Sequence, residues 1–353
     1  MGKIHFVGDL IFGDQPVIFG CGFDGIWNKS KYKGIFDGVK QEFGKSDVNI
    51  ANLETVIAER PEKQNVNNWA MCCDDNIISI LKENNITAVS IANNHSLDYG
   101  VEKYYKMVEM LEDNTIVVLG KKEKPWSVFE INGKKVAVVG ATYLPVYRTE
   151  NIPYLLNPTI EMWSEIIEKI GKVDKIVAYI HWGSEFVTTP TDKQKKIRDE
   201  ILKAGIDDIV GHHPHIIQKN EKIESHRIIY SLGNFMSDYW QKRLRETQIL
   251  VLDTDSMDYS IIPCKLDKKG VPHTIGTEQD VEYSDESEWE QNSLFLSRLR
   301  MRFEYLFHIV KCFPRMKGKK EFLVWLWKRV KYVLVNMRKE VKDPEIIYKK
   351  YER

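Results

Sequence analysis

The sequence predicts an α/β fold. Short β-branched runs alternate with amphipathic stretches over the first 235 residues, and the residues able to do chemistry fall just past the ends of those runs. Both features are expected of an open sheet that presents a ligand site beyond the carboxyl ends of its strands.

The first run, "KIHFV" (3–7), opens "KIHFVGDL", which reads as a buried strand entering a polar turn. Further strands are expected at "VNIA" (48–51), "ITAVSIA" (86–92), "KKVAVVGAT" (134–142), "KIVAYIH" (175–181), "DDIVG" (207–211) and "RIIYSL" (227–232). Between them, residues 74–85 place Ile77, Ile78, Ile80 and Leu81 on one helical side. Residues 100–114 do the same with Val101, Tyr104, Tyr105, Val108 and Leu111. A third helix is expected over 159–172, ending in a glycine stop. A fourth spans 191–205, opening on Thr191 or Asp192 and closing on Gly205. From 247 to 275 the pattern changes. "TQILVLD" and "DYSIIPCKL" follow one another with little helix between, as antiparallel strands finishing a sheet. Residues 276–292 are acidic and polar, as a linker would be, and 293–353 read as helical and basic. The expected organisation is a domain over 1–275, that linker, and a basic helical extension.

At 353 residues, 43% apolar and 29% charged, the chain can bury a sizeable core and has the balance of an ordinary soluble protein. The formal net charge is zero, and nothing in the balance points to a nucleic-acid partner. The halves differ, however. From Gln291 onward 17 Lys+Arg face 6 Asp+Glu, a net of +11 that the first 290 residues offset. Five cysteines with no CxxC pair suit a reducing compartment, and no leader segment is visible, so a cytoplasmic protein is expected. The apolar stretch "FLVWLW" (322–327) is too short, and too closely followed by Lys328, Arg329 and Lys331, to span a membrane.

Residues 211–215 read "GHHPH", which puts three of the nine histidines into five residues. Other polar residues recur at equivalent places. Asp9 follows the first run, Asn52 and Glu54 the second, and Asn93, Asn94 and His95 the third; His181 ends the fifth and Asn234 follows the seventh. Carboxylate, imidazole and amide donors without thiolate suit Zn, Mn, Fe or Mg rather than a structural zinc knot. On extended backbone His213 and His215 point to one side, as two ligands of one metal or one on each of two. Each residue also has an ordinary reading. Histidine clusters can form turns, Asn93–Asn94 suits a turn, and Asp98 could cap the helix starting near Tyr99. His5, His226, His273 and His308 are read as packed or solvated. The joint arrangement at successive strand ends favours a metal site, and two-metal hydrolytic sites hold their ions about 3.5–4 Å apart.

Six motifs, "VGDLIFG", "ANLETVI", "IANNHSLDYG", "HWGSE", "GHHPHIIQ" and "YSLGNF", resemble in sequence and order those of the CapA-type capsule-synthesis proteins, also called poly-gamma-glutamate capsule proteins. The resemblance runs from about residue 3 to 236. That family looks like a branch of the calcineurin-like metallophosphatases, so the resemblance implies an αββα sandwich with a two-metal site. It implies Asp9 as a ligand of the first metal, with Ile11 standing where the superfamily has a histidine. It implies Glu54 as the bridging carboxylate, or Asn52 in its place, with Asn94 as an amide ligand and His181 on the second metal. His213 and His215 would close the set, one per metal. His95 would stabilise or protonate the leaving oxygen, with Asp98 in the same catalytic group. Asn52, Glu185, His212, Gln218 and Asn234 would orient ligands or meet substrate.

The expected function is a metal-dependent hydrolase, foremost a phosphoesterase, in capsule, exopolysaccharide or polyglutamate biosynthesis. Two divalent ions (Mn, Zn, Fe or Mg) would activate water for in-line attack on an anionic or phosphorylated substrate, such as a capsule precursor or polymer. The alternative, raised by Ile11, is an accessory protein that holds an anionic polymer or a synthase partner without turnover.

The segment "EFLVWLWKRVKYVLVNMRK" (321–339) mixes Trp325, Trp327 and Tyr332 with five basic side chains. That suits peripheral contact with an anionic membrane, whereas docking on the catalytic domain is the simpler expectation. Co-sedimentation with anionic liposomes decides between them. Membrane contact requires salt-sensitive binding of the full chain and none by a version ending near Thr277; equal, salt-insensitive behaviour ends the idea.

Overall fold

The computed structural model describes residues 2–14, 21–59, 70–145, 151–239 and 241–276, with isolated positions between 313 and 327. Its strands are β1 (Lys3–Leu10), β2 (Val48–Leu53), β3 (Val56–Ile57), β4 (Cys72–Cys73), β5 (Ala88–Ser90), β6 (Val117–Leu119), β7 (Trp126–Ile131) and β8 (Lys134–Thr142). They continue with β9 (Lys175–His181), β10 (Asp208–His212), β11 (Glu221–Ile223), β12 (His226–Ile229), β13 (Asn234–Met236), β14 (Glu246–Asp253), β15 (Tyr259–Leu266) and β16 (Pro272–Thr274). The helices are α1 (Phe23–Trp27), α2 (Lys40–Phe43), α3 (Asn76–Glu83), α4 (Gly100–Asp113), α5 (Ile160–Ile170) and α6 (Asp192–Ala204). One sheet runs β16-β15-β14-β1-β2-β5-β6, with β13 also paired to β1; the other runs β11-β12-β10-β9-β8-β7.

Alternate side chains of a strand face opposite ways, so each sheet offers one face to its partner sheet and one to helices. Ile4, Phe6, Val48 and Ile50 of the first sheet meet Val136, Val138, Val177, Tyr179 and Val210 of the second in one buried layer. The outer face of the first sheet (Val7, Ala51, Leu53, Val89) packs with Ile77 and Leu81 of α3 and Tyr104 and Leu111 of α4. The outer face of the second (Val139, Ala178, Ile180, Ile209) packs with Trp163 and Ile166 of α5 and Ile197 and Ile201 of α6. The layers are helix, sheet, sheet, helix: the expected αββα sandwich.

The helices begin and end as their sequences direct. The Thr159 hydroxyl accepts from Met162 N–H at the start of α5, and Gly171 ends it at φ 72°. Thr191 and Gln194 form a capping box on α6, and Gly205 closes it in the left-handed region. Helix α4 starts after Tyr99 with no side-chain cap, which leaves Asp98 for another role. Strands β6, β7, β11, β13 and β16 go beyond the sequence pattern. β7 and β11 are sheet edges, and polar residues such as half-buried Ser127 and exposed Glu130 break the apolar run that marks an inner strand. The expected linker from 277 on and the basic extension, including 321–339, lie outside the described residues but for the isolated positions. No helix among the described residues is long and apolar enough to cross a membrane.

Register aligns the strand ends that matter. Asn234, Asp9 and Asn52 lie side by side on β13, β1 and β2. Thr142, His181 and His212 lie side by side on β8, β9 and β10. Two glycines allow the close approach beneath these rows. A Cβ on Gly8 would sit 1.8 Å from Gly233 O, and one on Gly211 would sit 2.2 Å from Tyr230 O and 2.3 Å from Trp182 Nε1. Gly211→Ala should therefore destabilise the fold by about 1–3 kcal/mol, the usual result of forcing atoms into a filled interior. A lower urea midpoint at unchanged slope is expected; a wild-type midpoint would mean that these strands separate freely.

Candidate metal centre

Asp9, Asn52, Glu54, His181 and His212 are fully buried where the two rows meet, and His213 and His215 nearly so. Two triplets form there. Asp9, His181 and His212 make one and Glu54, His213 and His215 the other, each with its ligand atoms within 4.8 Å of one another. Donors sharing one Zn-like ion at about 2.0–2.2 Å lie within roughly 4 Å of one another, so both triplets approach coordinating geometry. Glu54, of the second triplet, also approaches the first. Its Oε1 is 3.4 Å from His181 Nε2, 3.9 Å from His95 Nε2 and 4.0 Å from His215 Nε2.

Neither oxygen of Glu54 has a hydrogen-bond partner, and buried His212 Nε2 and His213 Nδ1 are in the same state. Buried polar atoms are normally paired, and a buried carboxylate with two bare oxygens is costly. A divalent cation would satisfy such a set of oxygen and nitrogen donors, so these residues fit the metal that the resemblance implies. Asn52, the other candidate for a bridging group, has its amide engaged. Its Nδ2 donates to Asp9 Oδ1 at 2.8 Å and lies 3.2 Å from His181 Nδ1, while its Oδ1 accepts from Asn93 at 3.1 Å. Of the two, Glu54 is the one with bare oxygens.

The remaining expected residues divide into those at the centre and those beside it. Asn94 Oδ1 is 2.7 Å from His181 Nε2. His95 Nδ1 is 2.8 Å from Asp98 Oδ2, which also accepts from Met71 N–H at 2.8 Å. His215 Nδ1 is 2.9 Å from Asn234 Oδ1 and 3.3 Å from Asp9 Oδ2. Gln218 is buried but uses its amide on Val187 O at 2.8 Å and on Gln194 at 3.0 Å, holding the loop after β9 rather than a candidate ligand. Glu185 is exposed and acts on the centre through its charge. His212, expected among the orienting groups, sits in the Asp9 triplet, with Nδ1 2.8 Å from His181 Nδ1 and 3.5 Å from Asp9 Oδ1. The sequence could not show this, because it follows from the register that pairs His212 with His181.

The backbone of "HPH" differs from the extended form expected. β10 ends at His212, and His213 (φ 98°) and His215 (φ 58°) both take positive φ. Such conformations cost about 1–3 kcal/mol each and persist where the surroundings impose them. The two rings nonetheless lie 5.5 Å apart, so the histidines converge by a turn.

Electrostatics set the protonation of the metal-free centre. Burial alone would raise the Asp9 carboxyl, but the hydrogen bond to His215 and the charges of His212 and His181 hold it well below the carboxylate range. Burial, reinforced by Asp9, pushes Glu54 up to about 8. Burial drives His181 down to about 3, and His212 and His213 well below the imidazole range. Burial also opposes charge on His95 and His215, but Asp98 lifts the first to about 9 and Glu54 with Asp9 lifts the second to about 9.

At pH 6–7 the metal-free protein therefore keeps protons on Glu54 and His215 that a metal must displace. Their raised values favour the metal-free fold at low pH, and that contribution disappears as pH rises through about 8 and about 9. The rise in thermal midpoint on adding Mn or Zn should grow from pH 6 to pH 9. His213→Ala/His215→Ala, purified without chelator, should lose the metal that elemental analysis finds in the unaltered chain. A midpoint indifferent to metal at every pH would sink the assignment.

Residues 3–239 match the family model described as bacterial capsule synthesis protein PGA_cap. The chain is 29% identical over 256 residues to the PGA biosynthesis protein CapA of Bacillus subtilis (strain 168), covering 69% of this chain and 66% of that protein. It is 26% identical over 265 residues to the capsule biosynthesis protein CapA of Bacillus anthracis, covering 70% of this chain and 64% of that protein. It thus spans slightly less than two thirds of these relatives' lengths. Among solved structures, a phosphatase from Mycoplasma pneumoniae aligns with 80% of this chain and 97% of its own, at 12% identity and a TM-score of 0.46. A putative 5′-nucleotidase from Staphylococcus aureus aligns with 82% of this chain and 58% of its own, at 15% identity and a TM-score of 0.47. With residues 3–239 matched, the chain belongs to the bacterial capsule synthesis protein PGA_cap family.

Proposed function

We propose that this chain is a metal-dependent hydrolase that cleaves a phosphoester in an anionic precursor or polymer of capsule, exopolysaccharide or polyglutamate production. One observation carries the proposal: Glu54, a member of one ligand triplet and 3.4 Å from His181 of the other, lies buried with both oxygens unpaired. Divalent cations held there would supply Lewis acidity, making water a nucleophile near neutral pH and neutralising phosphoryl oxygens.

The chain's own residues do the rest. Asp9, Glu54 and the histidines concentrate donors at an edge from which water is largely excluded. Asn52 holds Asp9, and Asn234 holds His215. Asp98 grips Nδ1 of His95, which leaves Nε2 on the Glu54 side, where it can hand a proton to a departing oxygen. With its value lifted to about 9 by Asp98, His95 carries that proton at neutral pH. A second role, holding an anionic polymer without turnover, is favoured by one feature: a buried Ile11 stands where the resemblance to the metallophosphatases implies a histidine.

A panel of phosphomonoesters and phosphodiesters with added Mn, Zn or Mg separates the two. Turnover that requires metal and falls about 10²–10⁴-fold in His95→Ala, with metal content retained, is the expected result. A metal-loaded chain that binds anionic polymer but turns over none of these esters would move the assignment to the accessory role.

A further inference from the structure

Asn93 has the sequence context of a simple turn former, yet the structure makes it a junction. It is fully buried, and both ends of its amide are engaged. Oδ1 accepts from His95 N–H at 3.1 Å and from Ser96 Oγ at 3.0 Å. Nδ2 donates to Leu53 O at 2.9 Å and to Asn52 Oδ1 at 3.1 Å. A backbone N–H can only donate and a backbone carbonyl can only accept, so His95 N and Leu53 O together decide which end of this amide is oxygen. That choice propagates. Asn52 must present its oxygen to Asn93, so its Nδ2 is the end that reaches Asp9 Oδ1 at 2.8 Å.

We propose that Asn93 is a positioning residue for the metal centre. Its one amide couples the turn that carries Asn94 and His95 to the end of β2 that carries Glu54 and, through Asn52, to Asp9. The chemistry explains the residue type. Aspartate would turn a carboxylate oxygen toward two acceptors, Leu53 O and Asn52 Oδ1. Alanine would leave the Leu53 carbonyl, Asn52 Oδ1 and the His95 N–H without these partners. A displacement of about 1 Å between reacting groups can cost on the order of 10²-fold in rate, so a residue that touches no substrate can still set turnover. The kinetic part of this proposal rests on the hydrolase assignment above; the metal-affinity part does not.

The test uses the full chain with Asn93→Ala and Asn93→Asp, each in the wild-type and His95→Ala backgrounds. Four quantities are read: Mn affinity by calorimetry, Mn bound per chain, the urea midpoint, and kcat and KM on whichever phosphoester the wild type turns over. Asn93→Ala should weaken Mn binding about 10-fold and lower kcat about 10–100-fold with little change in KM, the usual loss when a group orienting metal ligands is removed. The part of the kcat loss that Asn93 transmits through the turn carrying His95 should vanish in the His95→Ala background, so the two losses should not simply multiply. A fall in urea midpoint with wild-type Mn affinity and kcat would make Asn93 structural only and overturn the proposal, as would losses that simply multiply with His95→Ala. If the wild type turns over no ester, the hydrolase assignment fails by itself. The Mn affinity of Asn93→Ala then decides, and an unchanged value refutes the positioning role. Should Asn93→Ala not fold, Asn93→Ser carries the same comparison.

Discussion

The structure is organised around two buried carboxylates, Asp9 and Glu54, that share one set of imidazoles. Burial disfavours charge on both, and Asp9 further disfavours it on Glu54. The histidines divide them, holding Asp9 ionised while Glu54 rises to about 8. Such a group of charges cannot be stabilising by itself. It is tolerated because hydrophobic layers flank it: the inter-sheet core, and the two helix-covered outer faces of the sheets. The positive φ at His213 and His215 adds to the same burden. The sandwich is the rigid frame that keeps an unfavourable arrangement in place for a cation to occupy.

Much of this frame is legible in the sequence. Inner strands of a covered sheet read as unbroken apolar runs, and β1, β2, β8, β9 and β10 stand where those runs stand. Threonine caps and glycine stops mark α5 and α6 because they satisfy or end the backbone hydrogen-bond ladder locally. The site is legible as a collection of residue types at strand ends. What a linear reading cannot supply is register and turn geometry. His212 joins the Asp9 triplet because β10 pairs in register with β9, and "HPH" converges by left-handed turns instead of an extended strand. Asp98 could equally well cap a helix; its use on His95 depends on how the chain folds back before α4 begins. Short edge strands such as β7 and β11 are hidden because one side of each meets solvent, so polar residues interrupt the pattern.

The placement of charge on β2 follows from the same geometry. Asp9 and Asn52 are register partners on adjacent parallel strands. A carboxylate at position 52 would face Asp9 directly, and two like charges at that separation inside the protein would drive one of them to hold a proton. An amide there donates to Asp9 instead, at 2.8 Å. The second carboxyl group appears two residues later. Alternation of side chains along an extended chain returns Glu54 to the same side as Asn52, where it joins His213 and His215 and comes within 3.4 Å of His181.

Position 11 shows a matching exchange. Ile11 is two residues beyond Asp9, just past the end of β1, and is buried, so this stretch offers one candidate ligand, Asp9, and an apolar side chain where the resemblance implies a histidine. The Asp9 triplet nonetheless contains two imidazoles, because His212 reaches it from the opposite sheet. Two of that triplet's donors thus come from the second sheet, and the apolar side chain at position 11 joins the interior. A site assembled from two sheets can keep its ligand count when one strand stops contributing, provided register brings a substitute to the same edge. In this chain the pairing of His212 with His181 brings both imidazoles to that edge.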